Sequence, residues 1–346
     1  MRIRLKGLLV CLPIIVIIVA FGNMISINRI QDHINLDELV ASLPLARAKL
    51  PDMVWLMSYP NSGTTYTMDL VVQSTRTTVA TNYGEEPIQN GHEVKALCPH
   101  SPEGPFISDP TLSLPSRYIL TKTHCSGYCS MCRQNKYVIN EEGFLRSCSE
   151  CKRPLSSYHE IVVPSKLVRL VRDPFDNIVS NYHHWLKKQM REKPPKLELS
   201  NYNAATKTNE AIGFKKFCNM MDDKYLTLSK IQPKIKQQEE FFKNVPCHQS
   251  FFRYITWHNN ADYVAEFEAI PTLVIHYSDY EQDYNATTAS LFQFLDLKPD
   301  FAMPAFKTGK TYHDLFTREE REAAWKLMKN MAKASVWDKL QRYRRD

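Results

Sequence analysis

The chain has 346 residues, 43% hydrophobic and 23% charged, with a formal charge of +7 at neutral pH. That length allows one large domain or two small ones, and that composition excludes a disordered protein. The charge suits anionic ligands but falls short of a nucleic-acid binder's basic footprint, and no basic–aromatic interleaving, internal repeat or low-complexity tract is present.

The N-terminus sets the expected topology. Arg2, Arg4 and Lys6 lie in a tail over residues 1–6, followed by an uncharged, apolar stretch over 7–27. As a helix that stretch spans about 31 Å, roughly one hydrocarbon core. Positive charge before the span, with only Arg29 just after it, predicts a single-pass membrane anchor with a cytoplasmic N-terminus. A cleaved signal peptide is the competing reading, because Pro13 interrupts the apolar run; no small-x-small cleavage site follows it. Residues 28–51 read as a stem and 52–346 as a lumenal domain. Within that domain Asn285-Ala-Thr287 is a candidate glycosylation site on a surface loop.

Brief Val/Ile/Leu-rich runs predict strands at Met53–Ser58, Tyr118–Thr121, Leu167–Val171 and Thr272–His276. Helical periodicity predicts helices at Thr64–Thr75, Phe175–Met190, Gln249–Phe267 and Arg318–Met331. The last opens with the capping box Thr317-Arg-Glu-Glu320. This alternation predicts an α/β fold, a P-loop-like parallel sheet covered by helices on both faces, with ligands at the carboxyl ends of its strands. Residues 187–212, carrying Lys187, Lys188, Arg191, Lys193 and Lys196, read as a solvated loop or as one facing an acceptor.

Cys11 falls in the apolar span, leaving eight cysteines, five of them in an insert over residues 125–151. Cys129, Cys132, Cys148 and Cys151 match the spacing of a zinc ribbon. In an oxidising lumen disulfides pinning a loop are the favoured reading, because Cys125 as a fifth neighbour suits them better than a closed tetrahedral site; zinc is the alternative, and no metal is expected.

The chemistry concentrates in three segments. Ser58-Tyr-Pro-Asn-Ser-Gly-Thr-Thr-Tyr66 joins a strand to a helix, where unpaired N–H groups, the helix dipole and the hydroxyls of Ser62, Thr64 and Thr65 favour a phosphate. Thr121-Lys-Thr-His124 places a lysine and a histidine at a strand end. Arg172-Asp-Pro-Phe-Asp-Asn-Ile-Val-Ser180 offers a guanidinium, whose planar fork suits phosphate oxygens. A P-loop kinase or nucleotide hydrolase is excluded, because the first loop lacks Gly-Lys and Gly309-Lys-Thr311 has Pro304 where the leading glycine belongs.

The first segment resembles the 5′-phosphosulfate loop of sulfotransferases that use 3′-phosphoadenosine 5′-phosphosulfate (PAPS). The third resembles that family's 3′-phosphate segment, and Lys-Thr-His occurs at the end of a central strand in the same order. The resemblance implies PAPS as donor cosubstrate, no metal requirement, and a 5′-phosphate cradle of Asn61, Ser62, Gly63, Thr64 and Thr65. It implies a 3′-phosphate grip by Arg172 and Ser180, with His124 as general base and Lys122 stabilising the transferring group. An unperturbed imidazole titrates near the working pH, as such a base should. Val274-Ile-His-Tyr277 resembles the strand that brings a tyrosine near adenine, and Lys307-Thr-Gly-Lys310 resembles a shortened C-terminal basic-glycine loop, so Tyr277, Lys307, Gly309 and Lys310 join the expected nucleotide contacts. One departure stands out: Asn61 occupies the position of the family's usual lysine and cannot supply a charge.

With the anchor, the resemblance implies a Golgi-type, single-pass type II membrane enzyme that sulfates a glycan or glycoprotein. Protein-tyrosine sulfation, and a weakly catalytic nucleotide-binding scaffold or lectin on the same fold, are the alternatives. No nucleic-acid partner is expected, and the oligomeric state is not legible.

Overall fold

The computed structural model describes residues 47–49, 53–82, 86–87, 93–98, 111, 119–125, 141–149, 151–152, 157–158, 161–191, 207–229, 239–309 and 311–344. The expected anchor over 7–27 lies outside them. No helix among the described residues is long and apolar enough to cross a membrane.

A seven-stranded sheet carries the structure. Its strands are β1 (Met53–Ser58), β2 (Val79–Thr81), β3 (Glu86–Pro87), β4 (Glu93–Ala96), β5 (Ile119–Thr123), β6 (Lys166–Val171) and β7 (Thr272–His276), in the spatial order β7-β6-β1-β5-β2-β4-β3. Every pairing is parallel except that of the short edge strand β3 with β4. The principal helices are α1 (Thr64–Thr75), α2 (Glu141–Ser149), α3 (Pro174–Arg191), α4 (Lys207–Ser229), α5 (His248–Phe267), α6 (Tyr284–Leu295), α7 (Arg318–Met331) and α8 (Ala334–Gln341). The capping box at Thr317 and Glu320 forms as the sequence expects.

Side-chain alternation along the strands explains why both faces need helices. Val54, Leu56, Leu120, Val168, Leu170 and Ile275 pack on one face with Met68 and Val71 of α1 and Leu291, Phe292 and Leu295 of α6. On the other face of β6 Arg169 is buried and meets α5. It pairs with Asp262 and hydrogen-bonds the Nδ1 (2.8 Å) and carbonyl (3.1 Å) of His258. Lys339 of α8 adds a second cation at 2.9 Å from Asp262. A buried pair of this kind gains little net stability over an apolar pair, but removing either partner strands a charge at a cost of about 3–5 kcal/mol.

Several expectations are corrected. Part of the expected stem belongs to the folded unit: Arg47–Lys49 is a strand paired with Ile161–Val163. The loop expected over 187–212 is flanked deeply by helix, since α3 runs to Arg191 and α4 begins at Lys207. Asn285 is exposed as expected, but it sits in the first turn of α6 behind the N-cap Asp283 rather than on a loop. The Thr287 hydroxyl there donates to the carbonyls of Asp279 (3.1 Å) and Asp283 (2.7 Å). The expected disulfides form: Cys148 is bonded to Cys125, which removes its thiolate from the alternative zinc set, while Cys129 and Cys132 lie outside the described residues. A second disulfide joins Cys218 of α4 to Cys247 at the start of α5. Loops of 23 and 29 residues imply about 3 kcal/mol of stabilisation each in the chain-entropy model.

Candidate active site

The carboxyl ends of β1, β5, β6 and β7 converge on one site. Beyond β1 the chain turns sharply, with Asn61 at φ 65° and Gly63 at φ 100°, both left-handed. Gly63 caps α1 without a side-chain hydrogen bond, so the first N–H groups of that helix stay open toward an anion. Glycine is required here twice over. A Cβ at position 63 would lie 2.2 Å from the Tyr277 ring, and the backbone is left-handed.

Arg172, just past β6, closes the other side. It is buried, and its Nη1 donates to the Asn61 carbonyl at 2.8 Å. Its guanidinium carbon lies 4.8 Å over the Tyr277 ring. The two segments expected to hold the two phosphates are therefore adjacent, and Tyr277 wedges against both. Arg172 Nη2 is buried with no hydrogen-bond partner, an orphan that an anion would satisfy. A cavity of about 550 Å³ adjoins it, lined by Arg172, Tyr277, Ser278, Phe306, Lys307 and Arg342 among others. Lys307 is exposed at its rim, and the N–H of Gly309 donates to Glu281 at 3.1 Å. Lys310 lies outside the described residues. Ser180 is half-buried two turns into α3, and Thr65 is exposed where Thr64 is buried.

His124 and Lys122 are both buried at the end of β5. The Nδ1 of His124 lies 2.8 Å from the Ser58 carbonyl, an acceptor only, so Nδ1 carries the proton and Nε2 the lone pair. Trp257 of α5 donates its indole N–H to the His124 carbonyl at 2.8 Å. Phe144 of α2 packs on that indole, with ring centroids 5.6 Å apart, and the Cys125–Cys148 disulfide ties α2 to the strand end. The cysteine-rich insert thus buttresses the histidine. Burial, then the neighbouring Lys122 charge, push the imidazole down to about 3, while its bond to Ser58 opposes them. This corrects the expectation of an unperturbed histidine: the ring is neutral across the physiological range.

Sequence reasoning missed Asn177. It is fully buried in α3, and its Nδ2 donates to the Pro60 carbonyl (2.8 Å) and to Ser62 Oγ (3.0 Å). Occupying a Ser62 lone pair in this way leaves the hydroxyl proton to point elsewhere, toward an anion in the loop. One turn on, Asn181 accepts from Asn61 Nδ2 at 3.4 Å. The position that departs from the usual lysine is therefore a link between loop and helix. Both asparagines fall within or just beyond the Arg172–Ser180 segment and are four residues apart on α3, the only signal available.

Asp173, Asp176 and His313 could bring three ligand atoms within 4.8 Å for a metal. Those atoms already serve the protein. Asp173 accepts from the N–H groups of Phe175 and Asp176 and pairs with His313 at 2.7 Å, and Asp176 accepts from Tyr312 N at 2.7 Å. Burial and then Asp173 raise the Asp176 carboxyl to about 6. The cluster fastens the C-terminal segment to the start of α3.

A loop with an open helix N-terminus, an adjoining buried arginine and a buried histidine–lysine pair at the ends of parallel strands together suit the transfer of an anionic group. Residues 51–305 match the sulfotransferase domain model, the greater part of the chain. The chain belongs to the sulfotransferase domain family and is a PAPS-dependent sulfotransferase. A search of curated proteins returns no match. Among solved structures the chain is similar to mouse sulfotransferase SULT7A1 complexed with PAP, at 16% identity and a TM-score of 0.40, covering 86% of this chain and 90% of that one.

Proposed function

We propose that this enzyme transfers the sulfuryl group of PAPS to a carbohydrate hydroxyl, in a lumenal compartment of the Golgi type, from a domain tethered by residues 7–27. The observation that carries the donor assignment is Arg172 Nη2, buried without a partner beside the open N-terminus of α1. In this reading the loop amides with Ser62, Gly63, Thr64 and Thr65 hold the 5′-phosphate, and Arg172 with Ser180 holds the 3′-phosphate. Tyr277 and Lys307 border the remainder of the nucleotide.

His124 Nε2 takes the proton of the acceptor hydroxyl as that oxygen bonds to sulfur. The bond from sulfur to the 5′-phosphate oxygen breaks, its electron pair stays on the phosphate, and the bisphosphate nucleotide leaves. Because Asn61 supplies no charge, Lys122 is the cation that stabilises the developing negative charge. Lys122 also disfavours imidazolium, and the anionic donor offsets that effect when bound, so proton transfer becomes favourable only in the loaded site.

The buried disulfides suit an oxidising compartment, and exposed Asn285 is open to glycosylation there. The test is transfer of radiolabelled sulfate from PAPS to a panel of oligosaccharides, steroids, phenols and tyrosine-bearing peptides. Label on a sugar hydroxyl is expected. Label confined to peptide tyrosine or to small phenols refutes the carbohydrate assignment.

A further inference from the structure

Helix α3 carries a polar stripe whose two ends have different chemistry. Asn177, Asn181, His184, Lys188 and Arg191 recur at spacings of four and three, with Ser180 and Lys187 beside them, so all seven fall on one side of the helix. The opposite side, Ile178, Val179 and Tyr182, is buried in the core. The stripe begins on the nucleotide loop, where Asn177 holds Pro60 and Ser62 and Asn181 meets Asn61. It then leaves the loop and becomes basic. Lys187, Lys188 and Arg191 are exposed, and none of the three forms an ion pair among the described residues.

The stripe also lies within electrostatic reach of the catalytic lysine. Every charge that depresses the His184 imidazole is positive, Lys188 first, then Lys187, Arg191 and the buried Lys122, with burial the largest cause. From His184 to Arg191 the helix rises about 10 Å, so a row of cations continues along α3 beyond the end that meets the loop at Asn177 and Asn181. Exposed positive charge next to a site, with no ion pair among the described residues, is a recognition element for an anionic partner.

We propose that His184, Lys187, Lys188 and Arg191 form an acceptor subsite for an acidic glycan, one bearing carboxylates or sulfates on sugars neighbouring the hydroxyl that is modified. The proposal rests on the sulfuryl-transfer reading above and names its substrate class. Guanidinium and ammonium groups in one row suit repeated anionic groups along a chain. Among the described residues the large exposed apolar side chains near this stripe are Met190 and Ile212, neither of them an aromatic platform for a tyrosine ring.

The test uses the full chain loaded with the 3′,5′-bisphosphate nucleotide. Binding is titrated with a size-defined octasaccharide of alternating uronate and hexosamine, with its carboxyl-reduced neutral counterpart, and with an acidic tyrosine-bearing peptide. Wild type is expected to prefer the acidic octasaccharide at least tenfold over the neutral one. K187Q/K188Q/R191Q and K187E/K188E/R191E should abolish that preference, whereas K326E/K329E, a charge reversal on exposed α7 lysines, should retain it. Equal binding of the two octasaccharides by wild type, preference retained in the stripe variants, or equal loss in the α7 control overturns the proposal. Tighter binding of the peptide, lost in the stripe variants, overturns the glycan assignment. Nucleotide titration reads the sulfotransferase reading separately: absence of nucleotide binding by wild type defeats that reading, and the octasaccharide preference still decides the stripe. Unchanged nucleotide affinity in the glutamine variant shows that it is folded.

Discussion

Replacing Arg172 with methionine keeps most of the apolar stem and removes the guanidinium. In the wild type that group donates to Asn61 at 2.8 Å, lies 4.8 Å over Tyr277, and leaves Nη2 buried without a partner. A hydrogen bond to a charged group is worth about 1.5–3 kcal/mol, so nucleotide affinity should fall about 10- to 150-fold if Nη2 meets a phosphate. Part of any loss could come through the loop, because Asn61 also loses its donor. Comparing two nucleotides separates these effects. Calorimetric titration with the 3′,5′-bisphosphate should show nearly the full loss. Adenosine 5′-phosphate, which lacks the 3′ group, should lose only the part transmitted through Asn61. The preference of the wild type for the bisphosphate should then collapse in the variant. An unchanged bisphosphate affinity, or an equal loss for both nucleotides, refutes the placement of the 3′-phosphate at Arg172.

Four further outcomes follow from the geometry. His124→Ala should lower turnover by about 10²- to 10⁴-fold, the usual contribution of a general base, with nucleotide affinity nearly intact by titration. Because burial and Lys122 lower the His124 pKa to about 3, the free enzyme's ring is already neutral at pH 5. The profile of kcat/KM against pH should therefore lack an acid limb near 6.5, and an inflection there would contradict the buried geometry. Asn177→Ala should destabilise the fold by about 1–3 kcal/mol in denaturant titrations, since it strands the Pro60 carbonyl, and should weaken nucleotide binding through Ser62. Breaking the Cys125–Cys148 bridge by C125S/C148S should cost about 3 kcal/mol of stability and lower turnover more than nucleotide affinity, since α2 braces the Trp257 indole behind His124. Equal effects on turnover and affinity would remove α2 from that role.

Much of the site could be read from the sequence because its parts are local. The strand–loop–helix from Met53 to Thr75 has the observed bounds, as do β7 and α7, since apolar runs and a capping box mark them. What escaped is nonlocal or too short to carry a period. Strands β2, β3 and β4 are only two to four residues long, and each is held by its neighbour, β2 by β5, β4 by β2 and β3 by β4. Burial of Arg169 depends on Asp262, far away in the chain. Four cysteines at zinc-ribbon spacing cannot reveal that Cys148 pairs with Cys125, which only the approach of α2 to the end of β5 decides. The depressed basicity of His124 likewise depends on burial under α5, which no local pattern encodes.

The most direct measurement is a crystal structure of the protein with the 3′,5′-bisphosphate of adenosine. The 3′-phosphate should lie within hydrogen-bonding distance of Arg172 Nη2, and the 5′-phosphate over the amides that begin α1, on the His124 side of the loop. A nucleotide bound away from the Asn61–Thr65 turn, or one whose 3′-phosphate leaves Arg172 Nη2 unmet, contradicts the account.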